Sequence, residues 1–281
     1  MTSGQPAAGA ALSNPGARAV LIGTGMHSAG SGLPDVPAVG ATLADLAQVL
    51  IQRCGMAEGN VAVLTDPRSP LEVGLVLAES AKQAQDVLLV CYAGHGVVSP
   101  GGELYLATAS TERRPELLAY TALSCTAVHD TLLASPARSI IVVLDCCFSG
   151  RAVGVLGALD AYVLTSAARD ELALAPIGAR HTAFTGELIE LLARGDPDGP
   201  ALLTLRHAHQ YLTRVLPAAG FPKPHRRASG SLDDLVLAAN PAYHPSEGAQ
   251  GPAGPELDEC PYPGWAAFQT EDARWFLVGN G

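Results

Sequence analysis

The 281-residue sequence contains no run of 18 apolar residues, so no membrane-spanning helix is expected. It has no Lys/Arg cluster beyond the short stretch from Lys223 to Arg227, and 17 basic residues face 27 acidic ones, a formal charge of −10. Phosphate backbones bind clustered positive charge, so an acidic chain without a basic stripe argues against nucleic acid as a partner. The six cysteines, at 54, 91, 125, 146, 147 and 260, include no CxxC pair and no histidine spacing suited to zinc. Adjacent Cys146 and Cys147 make a poor disulfide framework, so reduced thiols and a cytoplasmic location are expected. The first 17 residues lack the basic start and apolar core of a secretory signal and, rich in Ala, Gly, Pro and Ser, read as a loose leader. No clear multi-carboxylate spacing for calcium is present, so calcium stays open, and no required metal or cofactor is expected. No internal repeat is present.

What the chain does have is a globular composition, 48% hydrophobic and 16% charged, in which short apolar runs alternate with longer amphipathic ones. Strands are expected at 19–23, 60–65, 86–92, 103–107, 139–144, 161–165 and 235–238. Helices are expected at 42–52, 71–82, 126–134, 182–193 and 202–216. The runs DVLLVCY (86–92) and SIIVVL (139–144) are continuously apolar, as strands covered on both faces must be. Strands alternating with helices imply helical crossovers and a mostly parallel sheet between two helical layers, an α/β three-layer sandwich. The domain is expected to span 18–241, followed by a Pro/Gly-rich linker over 242–258 and an aromatic tail over 259–281.

In such sheets the functional loops gather beyond the carboxyl ends of the strands. Two loops fit. One carries Gly94-His95-Gly96 and the other Asp145-Cys146-Cys147-Phe148-Ser149-Gly150. Thiol catalysis needs a thiolate, a base to generate it, and donors for the oxyanion. Cys147 at one strand end and His95 at another supply the first two. The backbone N–H groups of Gly96 and Cys147 are candidates for the third. A lone cysteine after a strand is more often a packed core thiol, and a lone histidine between glycines more often a turn residue. Catalysis is the better reading only because both occur together on equivalent strand ends.

The segments VCYAGHG (90–96) and VVLDCCFSG (142–150) resemble the caspase and metacaspase superfamily of cysteine peptidases, the second loop being similar to the metacaspase form D-x-C-x-S-G. His95 and Cys147 lie 52 residues apart, near the spacing of about 50 known for caspases. The resemblance covers roughly residues 18–241 and implies a caspase-type sheet and endopeptidase action on proteins or peptides through a Cys147/His95 dyad. In the matching motif the nucleophile is Cys147. Cys146 fills the variable position and, one residue along, should point the other way.

Metacaspases cleave after Arg or Lys using acidic pocket residues, and one of these corresponds to Asp145. The family's Ser before Gly-His is Ala93 here, and the acidic residue expected near the start of the 42–52 helix appears as Thr42. Ala93 and Asp170 complete the candidate substrate-binding set, with Glu171 as a further source of acid. The tail CPYPGWAAFQTEDARWFLVGNG (260–281) resembles the opening segment of a STAND-type NTPase module, although no P-loop occurs in the chain. That resemblance implies a regulatory partner or a fused NTPase module, and a role in bacterial defence or cell death. Two other readings stay open: a caspase-fold scaffold without activity, and a thiol hydrolase that does not cut proteins. Caspase-like cleavage after Asp is the alternative specificity.

Overall fold

A computed structural model describes residues 10–168, 178–228 and 232–245. The strands are β1 (Arg18–Gly23), β2 (Val61–Thr65), β3 (Val87–Ala93), β4 (Gly96–Val98), β5 (Leu104–Ala107), β6 (Ala122–Ser124), β7 (Ser139–Asp145), β8 (Ala161–Thr165), β9 (Leu202–Thr204), β10 (His225–Arg227) and β11 (Val236–Ala239). The helices are α1 (Ala38–Gln52), α2 (Pro70–Gln83), α3 (Pro115–Thr121), α4 (Cys125–Leu133), α5 (Ala152–Leu156), α6 (Ala183–Arg194) and α7 (Leu205–Ala218).

The main sheet has the order β10-β8-β7-β3-β1-β2. Its pairings are parallel except β10 with β8. This is the mixed α/β sandwich with a mostly parallel sheet that the alternating runs imply. Side chains on successive strand residues point to opposite faces, and the core divides accordingly. Ala19, Leu21, Leu89, Cys91, Ile141, Val143, Tyr162 and Leu164 pack under α1, α6 and α7. Val20, Ile22, Leu88, Val90, Val142, Leu144, Ala161 and Val163 pack under α2, α4 and α5. β3 and β7 are covered on both sides, which is why they read as unbroken apolar runs. β2 lies at the edge, and Val63 there is 45% exposed.

The helix starts have local causes. Ser69 accepts from Glu72 N at the start of α2, with Pro70 at its first position, and Ser124 accepts from Ala127 N at the start of α4. α1 begins at Ala38, four residues earlier than its apolar spacing suggests. The helix expected over 202–216 begins only at Leu205. Residues 202–204 form β9, which pairs antiparallel with β11, and the Thr204 side chain caps the helix by accepting from His207 N. Leu203 is fully buried in that pairing, and tertiary burial overrides the helical spacing. The last strand therefore belongs to this small sheet and not to the main one. β4, β5 and β6 form a third, antiparallel sheet. Among the described residues no helix is long and apolar enough to cross a membrane.

Replacing fully buried Leu21 should cost far more than replacing edge residue Val63. Urea unfolding of Leu21→Ala is expected to show a loss of about 2–5 kcal/mol. Val63→Ala should lose less than about 1 kcal/mol.

Candidate active site at the carboxyl edge of the sheet

β3 and β7 are neighbours, paired in parallel from Val87↔Ser139 to Ala93↔Asp145. Each partner is 52 residues further along, the same separation as His95 and Cys147. The pairing continues past the strand ends, where Gly94 N donates to Asp145 O at 3.1 Å. His95 and Cys147 thus leave two adjacent strands at the same level. Gly96 keeps them close, because a Cβ there would overlap the Cys147 carbonyl oxygen. Gly94 has φ +149, and a Cβ on it would meet the Tyr92 hydroxyl and the Thr24 carbonyl, each at 2.9 Å. Both glycines of the motif therefore have a steric cause.

Further bonds hold the two loops. The Tyr92 hydroxyl lies 3.0 Å from the carbonyl oxygens of both His95 and Ala107, and the His95 carbonyl also accepts from Ala107 N. Ser149 Oγ accepts from Ala167 N at 3.1 Å, while Gly150 N donates to Ala167 O at 3.1 Å. The Ser-Gly of the cysteine loop thereby ties it to the end of β8. Phe148, directly after Cys147, sits in the left-handed region at φ 60, ψ 16. A bulky residue there carries about 1 kcal/mol of strain, which bends the chain sharply away from the thiol.

His95 Nε2 lies 2.8 Å from the Pro34 carbonyl oxygen. A carbonyl only accepts, so Nε2 carries the hydrogen, and in the neutral ring Nδ1 is the basic nitrogen. His27 packs against the same ring, with centroids 5.3 Å apart and planes tilted by 52°. Burial, and then His95 itself, push the His27 imidazole below its ordinary pKa, against the pull of Asp35 and Asp66. The sequence reading missed Pro34 and His27. Pro34 acts through its backbone, which no side-chain pattern reports, and His27 stood in a loop without a motif.

The two adjacent cysteines separate. Cys146 is 0% exposed in the core under α2 and α4, and burial pushes its thiol well above the ordinary value. Cys147 is half-buried. Asp145 points to the other face and is 6% exposed. Its Oδ2 accepts from Thr182 Oγ1 at 2.7 Å, Thr185 Oγ1 at 2.7 Å and Thr185 N at 3.1 Å. Burial raises its pKa, and the threonine hydrogen bonds pull the other way. Asp145 also lines a narrow pocket of about 10 Å³, room for about one water, with Ser166, Phe184, Leu216 and Phe221.

Ala93 is buried at the end of β3, where its carbonyl accepts from Thr24 N. Thr42 is buried, and its Oγ1 accepts from Thr182 N, so it braces the segment that holds Asp145. One turn along α1, Asp45 pairs with Arg180 and His181, both at 2.7 Å. Asp170 and Glu171, and the tail resembling an NTPase opening, lie outside the described residues.

A family model described as the caspase domain matches residues 43–225, more than half of the chain and inclusive of both loops. The chain belongs to the caspase-domain family. Its fold is also similar to a crystal structure of protein GSU0716 from Geobacter sulfurreducens, at 17% identity and a TM-score of 0.57, covering 82% of this chain and 99% of that one. Likeness at that identity speaks for the fold alone. A comparison with curated proteins returns no match. Within the caspase domain, the cysteine-peptidase type of fold is thus established.

Two outcomes follow from these environments. On brief iodoacetamide treatment near neutral pH, peptide mapping should find Cys147 alkylated. Cys54 and Cys125, with thiols pushed up to about 12 by burial, and the buried Cys91 and Cys146 should stay unmodified. Hydrogen bonds from Arg180 and then His181 hold the Asp45 carboxyl down at about 2, against an ordinary 3.8. A depressed carboxylate stabilises fully above its ordinary value and loses that contribution as pH falls toward the folded one. Asp45→Asn should therefore be less stable than the wild type near pH 6, with the difference closing by about pH 2 in acid-unfolding curves.

Proposed function

We propose that the chain is a cysteine endopeptidase with Cys147 as nucleophile and His95 as its base and acid, cleaving proteins after Arg or Lys. The observation that carries this reading is the His95 hydrogen bond to the Pro34 carbonyl at 2.8 Å, which leaves Nδ1 as the basic atom on the strand end beside Cys147. His95 Nδ1 takes the thiol proton, and the thiolate adds to the scissile carbonyl carbon. The N–H groups of Gly96 and Cys147 receive the oxyanion. The imidazolium then passes its proton to the departing amine as the C–N bond breaks, leaving a thioester. Water, deprotonated by the same nitrogen, hydrolyses the thioester and restores the thiol.

Asp145 on the narrow pocket supports a basic P1 side chain, since a buried carboxylate favours a cation brought against it, and the pocket of about 10 Å³ must widen to admit one. Its bonds to Thr182 and Thr185 favour a second role, anchoring the loop before α6. Ala93 and Asp170 stand as the remaining specificity candidates. The location is read as cytoplasmic. The tail over 259–281 is read as the start of an NTPase module that switches the peptidase, in a bacterial defence or cell-death system.

Fluorogenic peptides ending in Arg, Lys or Asp test the proposal. Wild type should release the reporter after Arg and Lys, and Cys147→Ala should lose at least about a thousandfold in kcat/KM, as removing a catalytic nucleophile does. Release after Asp would keep the dyad and overturn the specificity. No Cys147-dependent release from any of them would favour a silent scaffold. Asp145→Asn divides the two roles of that residue: loss confined to basic substrates marks a pocket ligand, whereas a lowered melting temperature with equal loss on all substrates marks an anchor.

A further inference from the structure

Beyond His95 the carboxyl edge of the sheet continues over β1 and β2 to an open cleft of about 360 Å³. Met26 and His27 from the loop after β1, Asp66 and Arg68 from the loop after β2, and Ala109 and Ser110 from the segment after β5 line it. The strand order reverses between β1 and β3, where His27 and His95 leave the sheet, and the cleft lies on the β2 side of that reversal.

The walls are already tied together. Asp66 Oδ1 accepts from Gly25 N at 2.7 Å and Met26 N at 3.0 Å. Ser28 N donates to Ala109 O, and Ala109 N to Pro67 O, both at 2.8 Å. Three loops thus hold one shape before any ligand arrives. The cleft is mainly carbon-lined, and Met26 is 51% exposed despite its apolar side chain. His27 forms the wall shared with His95. Its side chain is 1% exposed; Nδ1 faces Asp35 Oδ1 at 3.8 Å, and Nε2 has no hydrogen-bond partner among the described residues.

We propose that this cleft is the subsite for the leaving-group side of a peptide substrate, taking an apolar side chain from the second residue after the scissile bond. The inference rests on the peptidase reading. In that reading the P1 pocket lies at Asp145 on the β7–β8 side, and the thiol follows β7. The leaving amine must face His95 after β3, since that imidazole supplies its proton. Substrate therefore crosses the edge from β8 toward β1, and the residues that depart with the amine pass over His27. The His27 and His95 rings are 5.3 Å apart, and an extended chain advances about 3.3 Å per residue, so the second departing residue reaches the cleft.

The chain has three methionines, Met1, Met26 and Met56, and Met56 is buried in the core as an internal reference. In the full-length Cys147→Ala protein carrying carbon-13 methyl methionine, a peptide continuing Arg-Gly-Leu should move the Met26 methyl resonance and leave that of Met56 in place. The same peptide ending at its arginine should leave Met26 unmoved. A Met26 signal static up to millimolar extended peptide overturns the proposal, and so does a Met26 shift with the truncated one. In the active enzyme, the kcat/KM ratio of the leucine-extended peptide to a reporter without departing residues should fall about tenfold in Met26→Asp, the effect of one apolar side chain losing its pocket. An unchanged ratio overturns the proposal too. Failure of the peptidase reading shows separately, as no Cys147-dependent hydrolysis of either substrate.

Discussion

The parallel pairing of β3 with β7 is the constraint on which the rest of the site depends. Seven consecutive residue pairs, Val87↔Ser139 to Ala93↔Asp145, hold one register. Both strands are buried on both faces, so a slip by one residue would move every side chain to the wrong layer. The hydrophobic core thereby determines how far along the edge each loop begins. A loop residue two places past Ala93 and another two places past Asp145 inherit that precision without contributing to it.

The same alternation sorts the cysteine loop. Asp145 faces the layer of α1 and α6, where Thr182 and Thr185 meet it, and Cys146 faces the opposite core and is sealed there. Cys147 comes where the strand has ended and Phe148 has bent the chain, so it is no longer held in either core. Burial pushes the Cys146 thiol well above its ordinary value, whereas Cys147 stays half-buried. Two identical side chains, adjacent in sequence, acquire different surroundings from the pleat of one strand.

Most of the main sheet was legible because its strands announce burial on two faces. DVLLVCY and SIIVVL match interior strands of a helix-covered sheet, and the regular elements follow with end shifts of a few residues. The small elements were not legible. β9 hid inside a helical pattern because Leu203 is buried by a partner more than thirty residues away, and β4 and β6, the strands on either side of the expected β5, are too short for a pattern to emerge. Of the site, the two glycine-flanked loops stood out by residue type. That they follow neighbouring strands did not, since apolar runs carry no record of which strand lies beside which.

The amino-acid order by itself determined the α/β class, the strand ends, and the 52-residue separation of His95 and Cys147. Hydrophobic period and turn chemistry are local, and local patterns suffice for those features. The tertiary structure alone decided what each candidate side chain touches. Pro34 O reaches His95 across 61 residues, Thr182 and Thr185 reach Asp145 across 37 and 40, and His27 settles against His95 from another loop. Such contacts depend on how separate strand ends are brought side by side, and burial periodicity states that a face is covered without naming what covers it.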